Sequence, residues 1–191
     1  DNSGNGFGLR THVAVTKEQA GKVGTGYTFD NSGNKRTRLE SRKKLTSMNK
    51  AAVAGWIKPR GRQRNAHVVA LGRWNAVHIV NNTLIANFDM AAQGPSKAIP
   101  SGEWTHFVAQ NDGKVSQLYL NGRKVAEENE NYKDPISGNP NDFKGLRIAA
   151  AFNATANFGG SLDDIAVWNR PLTPSEIAAL YKVSSEGETF L

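Results

Sequence analysis

The sequence contains no cysteine in its 191 residues. This absence excludes a disulfide framework, a thiolate nucleophile and a thiolate-bound zinc ion, although it leaves the cellular compartment open. No apolar run approaches the roughly 20 residues that a transmembrane helix needs. The chain begins at Asp1 without a methionine or a signal peptide, so we expect a mature or excised piece of a larger protein.

Two common catalytic motifs are missing as well. There is no G-x-S-x-G nucleophile elbow, and the four histidines include no H-E-x-x-H pair. What remains is the composition of a globular protein, with 38% hydrophobic and 21% charged residues. The length suits one domain with a substantial core.

Positive charge is concentrated in one segment. The formal net charge is +7, and residues 35–64 hold eleven lysines and arginines against a single acid, Glu40. One interpretation is a basic face that is simply solvated. The other is attraction to a polyanion, which would be an anionic polysaccharide, a nucleic acid or an acidic lipid.

Short apolar runs separated by turn residues recur along most of the chain. The clearest pair is Val115–Leu120 and Arg123–Glu127, joined by Asn121-Gly122, which is a strong hairpin signal. Ala51–Lys58 is a further strand candidate, ended by a proline. The pattern predicts an all-β sandwich of antiparallel sheets.

The most specific stretch lies near the C-terminus. Ser161–Trp168 is predicted to be a strand, although Asp163 and Asp164 interrupt its apolar pattern. Thr173–Glu176 then predicts the start of a helix of about two turns, with a threonine cap, a proline in the first turn and a glutamate that closes a capping box. The two acids need a partner, because burying an unpaired carboxylate costs several kcal/mol.

Asn157–Tyr181 resembles the closing signature of the LamG-like jelly rolls of the concanavalin A-like lectin/glucanase superfamily. The glycine-rich opening, the strand around Trp56 and the stretch Ser101–Ala109 are also similar to that family, so the resemblance covers nearly the whole chain. It implies a single jelly-roll domain over residues 1–191 with one short C-terminal helix. It further implies a secreted or cell-surface protein with neighbouring domains.

The resemblance also implies a structural calcium ion. The family ligands are an acid near the N-terminus, a carbonyl in the turn after the Phe29-Asp30 strand, and an acid of the closing strand. The matching positions are Asp1, Ser32 in the turn, and Asp163 or Asp164. Such oxygen ligands suit calcium. The alternative is that the two strand acids pair with basic side chains or cap turns.

A candidate binding set combines planar donors with aromatic faces. Arginine forks can bind carboxylate or sulfate groups, and aromatic rings can stack on sugars. The set is Arg60, Arg62, Arg64, His67, Arg73, Trp74 and His78. We therefore expect a non-catalytic module that binds a polysaccharide, with uronic or sulfated glycans favoured. The alternative is an adhesion or assembly domain whose basic face docks an acidic protein.

Catalysis is the third and least favoured interpretation. Glycosidases of this superfamily carry E-x-D-x-x-E on one strand, and the sequence has no such pattern. The run Arg38–Arg42 does fit R-x-E-x-R, a motif of jelly-roll alginate lyases, but the other lyase motifs are missing. We therefore expect no catalytic residues, and a polysaccharide lyase or hydrolase stays the minor alternative.

Overall fold

The computed structural model describes residues 8–17, 20–32, 36–72, 74–88, 94–129, 145–151 and 153–188. Within these residues the chain forms two antiparallel sheets of seven strands each and one helix, α1 (Pro174–Ser185). The predicted all-β sandwich with a C-terminal helix is confirmed. In the described part of the chain, no helix is long and apolar enough to cross a membrane.

The order of the strands places sequence-distant segments side by side. In spatial order, the first sheet consists of β1 (Leu9–Thr11), β4 (Leu39–Ser41), β13 (Leu146–Ile148), β6 (Asn65–Leu71), β7 (Trp74–Val80), β8 (Thr83–Ala86) and β9 (Ser96–Ala98). The second sheet consists of β12 (Arg123–Asn129), β11 (Val115–Leu120), β10 (Thr105–Asn111), β5 (Ala51–Pro59), β14 (Gly160–Trp168), β3 (Tyr27–Phe29) and β2 (Val15–Lys17).

The two sheets enclose one apolar core. Side chains alternate between the faces of a strand, so each strand sends every second residue inward. Four phenylalanines are completely buried there: Phe29, Phe88, Phe107 and Phe158. Burial of each such side chain contributes about 1.5–3 kcal/mol, which makes this layer the main source of stability.

Strand β5 is apolar on both faces because both faces are covered. Val53 and Ile57 point into the core between the sheets. Ala54 packs in a second cluster with Ile177 of α1, on the outer face of the second sheet. Trp56 lies on this outer face too and is 3% exposed. Strands buried on both faces lose the apolar–polar alternation, which explains the continuous apolar run in the sequence.

The predicted capping box begins α1. Thr173 Oγ1 accepts a hydrogen bond from Glu176 N at 3.2 Å, and Glu176 Oε2 accepts one from Thr173 N at 2.7 Å. The helix has twelve residues rather than the predicted two turns. It extends because both Ile177 and Ser184, two turns apart, are fully buried.

Several strands are too short to be recognised from the sequence. Arg36, Arg38, Glu40 and Arg42 alternate with other residues, but only Leu39–Ser41 forms a strand, β4. The chain bends after it, where Ser41 Oγ donates to Lys43 O at 2.8 Å. The three-residue strands β1, β2 and β9 are too short to show a period in the sequence. The polar stretch 130–144 lies outside the described residues.

Candidate ligand-binding site

Glu40 lies on the outer face of the first sheet. Its neighbours Leu39 and Ser41 are buried, so the alternation of β4 turns Glu40 outward. The register pairs Glu40 with Arg147 of β13 on one side and with Arg10 of β1 on the other. Directly paired residues project from the same face of a sheet. A carboxylate from the basic segment therefore sits between arginines that are distant in sequence.

Two guanidinium groups hold the Glu40 carboxylate in place. Arg38 Nε donates to Glu40 Oε2 at 2.9 Å, and Arg147 Nε donates to the same oxygen at 3.1 Å. His12 Nε2 lies 3.8 Å from this oxygen. Among the described residues, no hydrogen-bond donor reaches Glu40 Oε1. The carboxylate is thus oriented through one oxygen while its other oxygen stays able to accept a bond.

The arginines also set the charge state of this cluster. Burial alone would raise the pKa of Glu40, but the hydrogen bonds and charges of Arg147 and Arg38 outweigh it and hold that pKa below its usual value. Burial, together with the charges of Arg38, Arg147 and Arg10, lowers the pKa of His12, although Glu40 opposes this shift. At neutral pH the cluster contains three arginine cations and one carboxylate anion, and its net charge is positive.

Two histidines extend the same face across the next strands. His67 of β6 and His78 of β7 are direct cross-strand partners, and their rings stack with centroids 5.4 Å apart and planes 20° apart. Ala70, three residues after His67, pairs with Arg147. The β6–β7 register is irregular between His67 and Val69, and both Val68 and Val69 enter the core, so His67 and Ala70 project from the same outer face. The histidines therefore lie about 10 Å along β6 from the Glu40 cluster. We call the surface formed by Arg10, His12, Arg38, Glu40, His67, His78 and Arg147 the arginine–histidine face.

The three arginines predicted from the β5–β6 loop lie at one end of the sandwich. Arg60 Nη2 is ion-paired with Asp30 Oδ1 at 2.8 Å. Arg62 Nη2 donates to Asn81 Oδ1 at 3.1 Å, and Arg64 O accepts a bond from Asn81 N. These contacts fix the loop against the β7–β8 turn. They place Arg62 and Arg64 next to the end of β6 that carries His67.

The remaining predicted binding residues lie elsewhere. Arg73 is outside the described residues. Trp74 belongs to β7 and pairs with Leu71, at the opposite end of the β6–β7 hairpin from Arg64. Of the predicted set, the structure therefore brings His67 and His78 into contact and leaves the loop arginines and Trp74 at separate ends.

The predicted calcium ligands are spread over the β3–β14 pair. Asp1 lies outside the described residues. Phe29 pairs with Gly160, so Ser32 and Asp163 extend from this pair in opposite directions. Within the described ranges, no group of three or more acidic or histidine side chains could hold a metal ion. Ser32 instead donates, through N and Oγ, to the carboxylate of Asp30. Calcium therefore stays a prediction.

Asp163 has a defined role within the protein. Its side chain is 6% exposed, its Oδ2 accepts a bond from Val23 N at 2.8 Å, and its Oδ1 accepts one from Asp164 N at 2.8 Å. Gly21 and Gly26 leave room for this carboxylate, since a Cβ on Gly21 would lie 2.3 Å from Oδ2. Asp163 thus holds the glycine-rich loop of residues 21–26 against β14, as the turn-capping alternative expects.

Sequence reasoning did not find Arg10, His12 and Arg147 as members of the face. The sequence indicates Arg38 and Glu40 as parts of the basic segment and of an R-x-E-x-R match, and not as a binding site. The available signal was the alternation of Arg36, Arg38, Glu40 and Arg42 along one strand. The contribution of Arg147 depends on a strand pairing 107 residues apart, which no local pattern reveals.

The fold that carries this face has known relatives. The family model described as the concanavalin A-like lectin/glucanases superfamily matches residues 30–178. The chain belongs to this superfamily. The resemblance drawn from the closing signature is thereby confirmed. The match includes β4 with Glu40, the β6–β7 hairpin and β13, so every strand between β3 and β14 is part of the shared domain.

Solved structures with this fold include both toxin and enzyme domains. The binding domain of Paraclostridial Mosquitocidal Protein 1 is 18% identical with a TM-score of 0.72, and the match covers 95% of this chain and 48% of that one. Domain 4 of AbnA, a GH43 extracellular arabinanase from Geobacillus stearothermophilus, solved with arabinotriose, is 18% identical with a TM-score of 0.68, covering 94% and 91%.

A third structure, the binding domain of Botulinum Neurotoxin DC in complex with SialylT, is 10% identical with a TM-score of 0.68, and the match covers 93% of this chain. The superfamily member described here spans about half the length of the two toxin domains, 48% and 46%. At these identities the likeness concerns the fold.

Proposed function

We propose that the protein is a non-catalytic carbohydrate-binding module that holds a polysaccharide on its arginine–histidine face, with an acidic glycan preferred. The observation that carries this proposal is the Glu40 carboxylate, fixed by Arg38 and Arg147 on an outer sheet face. Sugar hydroxyls donate well to an oriented carboxylate oxygen, and the bond is stronger because the acceptor is charged. Glu40 Oε1 is in a position to accept such a bond.

The arginines supply the preference for acidic sugars. Arg38 and Arg147 use their Nε atoms on Glu40, and the Nη2 atom of Arg38 donates to no described residue. A guanidinium edge of this kind matches the two oxygens of a uronate or the oxygens of a sulfate. The net positive charge of the face adds a longer-range attraction for a polyanion.

The histidine pair extends the surface in the direction that a polymer would follow. Its stacked rings lie on the same face as Glu40, about 10 Å away along β6, which is on the order of two sugar residues. Arg62 and Arg64 at the near end of the hairpin add further positive charge. A chain of several sugars could therefore contact both clusters at once.

The fold relatives support the same class of ligand. The arabinanase domain was solved with arabinotriose and the neurotoxin domain with SialylT. The toxin domains and the extracellular arabinanase also support a place outside the cell for this module, next to other domains of a longer chain. Within this proposal the module contributes binding, and any hydrolysis is left to its neighbours.

A glycan array tests the proposal, probed at low and at physiological salt. We expect selective binding to one uronic or sulfated polysaccharide that survives physiological salt, and at least tenfold weaker binding by Arg147→Ala. The matched control is Arg123→Ala, which removes the same charge from the exposed end of β12 on the second sheet. Equal loss of glycan binding in both variants, or equal binding to every polyanion, would show that the interaction depends only on net charge.

Two further outcomes would contradict the proposal. No binding to any glycan, together with binding to an acidic protein, would favour the adhesion alternative. Release of unsaturated uronates from a bound polymer would show that the face is catalytic, since elimination at a uronate is the chemistry that the R-x-E-x-R match suggests.

A further inference from the structure

His106 is enclosed between the second sheet and helix α1. Its ring is completely buried, with its centroid 5.2 Å from that of Trp56 and 5.7 Å from that of Tyr181 in α1. The β11–β12 turn fixes its backbone, because Asn121 Oδ1 accepts a bond from His106 N at 3.0 Å. The imidazole is thus held in an aromatic pocket that α1 closes.

The side-chain nitrogens of this pocket have no hydrogen-bond partner in the part of the chain that the structure describes. Neither His106 Nδ1 nor His106 Nε2 has a hydrogen-bond partner among the described residues, and the same holds for Trp56 Nε1. Buried polar groups are normally paired. A neutral imidazole can tolerate this pocket at a modest cost, whereas an imidazolium would need two acceptors that the pocket does not supply.

No described anion contacts the ring. Tyr181 of α1 and the lysines of neighbouring segments face the pocket. The ammonium of Lys22 lies 4.8 Å from the Trp56 ring centroid, and that of Lys58 lies 5.9 Å from the Trp104 ring centroid. The other charged groups facing it are Lys124 of β12 and, beyond Trp56, Asp163 of β14. Asp163 is already bonded to two backbone amides, and Lys124 is paired with Glu127 at 2.7 Å.

Helix α1 is attached more firmly at its N-terminal end. The side chain of Gln110 exchanges two bonds with the backbone of Leu172, at 2.8 and 3.2 Å, just before the capping box. At the other end, the direct polar link among the described residues is Lys22 Nζ donating to Ser185 O at 3.2 Å. The half of the helix that carries Tyr181 therefore depends on the aromatic pocket.

We propose that α1 is an acid-released cover: protonation of His106 detaches the Tyr181 half of the helix and exposes the apolar outer face of the second sheet around Trp56. The Leu172 attachment and the capping box hold the first turns of the helix in place. The released half loses its backbone hydrogen bonds, because so short a helical segment is marginal in water without tertiary contacts. Burial lowers the pKa of His106 to about 4, whereas a released, hydrated imidazole returns to its ordinary value of about 6.5.

The sign of the effect follows from these two values. The released state binds the proton more tightly, so docking is fully favourable at neutral pH and weakens as the pH falls through the window between them. Proton linkage with the values of about 6.5 and about 4 gives a docking constant about 30-fold smaller at about pH 5 and about 150-fold smaller at about pH 4.

Amide hydrogen exchange along α1, corrected for the intrinsic pH dependence of exchange, tests this proposal. We expect protection over residues 178–185 to fall about 30-fold between neutral pH and about pH 5, while the strands of the first sheet keep theirs. In His106→Leu, which fills the pocket with an apolar side chain, the acid step should vanish. His12→Gln, which removes a half-exposed histidine instead, should retain it.

Three results would overturn the proposal. One is unchanged protection of α1 in the native protein down to about pH 4. Another is simultaneous loss of protection in α1 and the first sheet, which would indicate global unfolding. The third is an identical acid step in His106→Leu. The native protein alone decides the first two, so the test stands even if the leucine variant folds poorly.

Discussion

Asp163 provides a direct test of how the closing strand accommodates its acids. We consider Asp163→Ala and Asp163→Asn, at a position that is 6% exposed. The alanine variant removes the acceptor for Val23 N and for Asp164 N, both bound at 2.8 Å. The bond to Val23 ties the glycine-rich loop to a strand 140 residues away, so the change affects tertiary structure rather than one turn.

The expected magnitude follows from these two bonds. A buried donor left without its partner costs about 1–3 kcal/mol, and a bond to a charged acceptor lies in the upper part of that range. We therefore expect Asp163→Ala to lower the free energy of unfolding by about 2–5 kcal/mol. Asparagine keeps one acceptor oxygen, so Asp163→Asn should cost about half as much.

Urea unfolding at neutral pH measures both variants. Glu103→Gln is the control, because it neutralises an exposed carboxylate that lies outside the strands and the helix. That control should change stability by less than about 1 kcal/mol. A loss below about 1 kcal/mol for Asp163→Ala would refute the reasoning, since the two amides would then have found other partners.

Three other predictions concern Glu40, the helix cap and calcium. Glu40→Gln should destabilise the protein by about 1–2 kcal/mol at neutral pH. Because the pKa of Glu40 is lowered in the folded protein, the difference in stability between the two proteins should disappear as the pH falls through that lowered pKa. Urea titrations at several pH values would measure this. Thr173→Ala should cost about 1 kcal/mol by removing the helix cap, with Thr46→Ala, an exposed residue outside strands and helix, as a neutral control. If the predicted calcium site forms, added calcium should raise the melting temperature and EDTA should lower it. Identical melting curves would contradict the calcium prediction.

Much of the fold could be predicted from local sequence. The Asn121-Gly122 hairpin, the apolar β5 and the capping box at Thr173 are all decided within a few residues, and each was confirmed. The family resemblance then fixed how these elements combine. The three-residue strands β1, β2 and β9 could not be predicted, since three residues give no period.

The candidate site was harder to predict because it is assembled by long-range pairing. Glu40 meets Arg147 only because β13 inserts beside β4, and Asp163 meets Val23 only because the glycine-rich loop folds back onto β14. The loop arginines, by contrast, are adjacent in sequence but bind Asp30 and Asn81. Proximity along the chain suggested one site, whereas strand order places its members at different ends.

The outer position of Trp56 also depends on contacts that are distant in sequence. Because Trp56 belongs to an apolar run, the sequence suggests that it lies in the core. In the structure it lies on the face covered by α1, next to His106 and Tyr181. The helix was predicted, but its length and the surface that it covers depend on residues from four separate segments.

The most direct test of the proposed function is amide chemical-shift mapping with the acidic oligosaccharide that binds best on the array. The account predicts saturable shifts in β4, β6, β7 and β13, centred on Glu40 and Arg147, with much weaker binding by Arg147→Ala. Shifts confined to the β5–β6 loop or to the second sheet, with Arg147→Ala binding normally, would contradict the arginine–histidine face as the binding site.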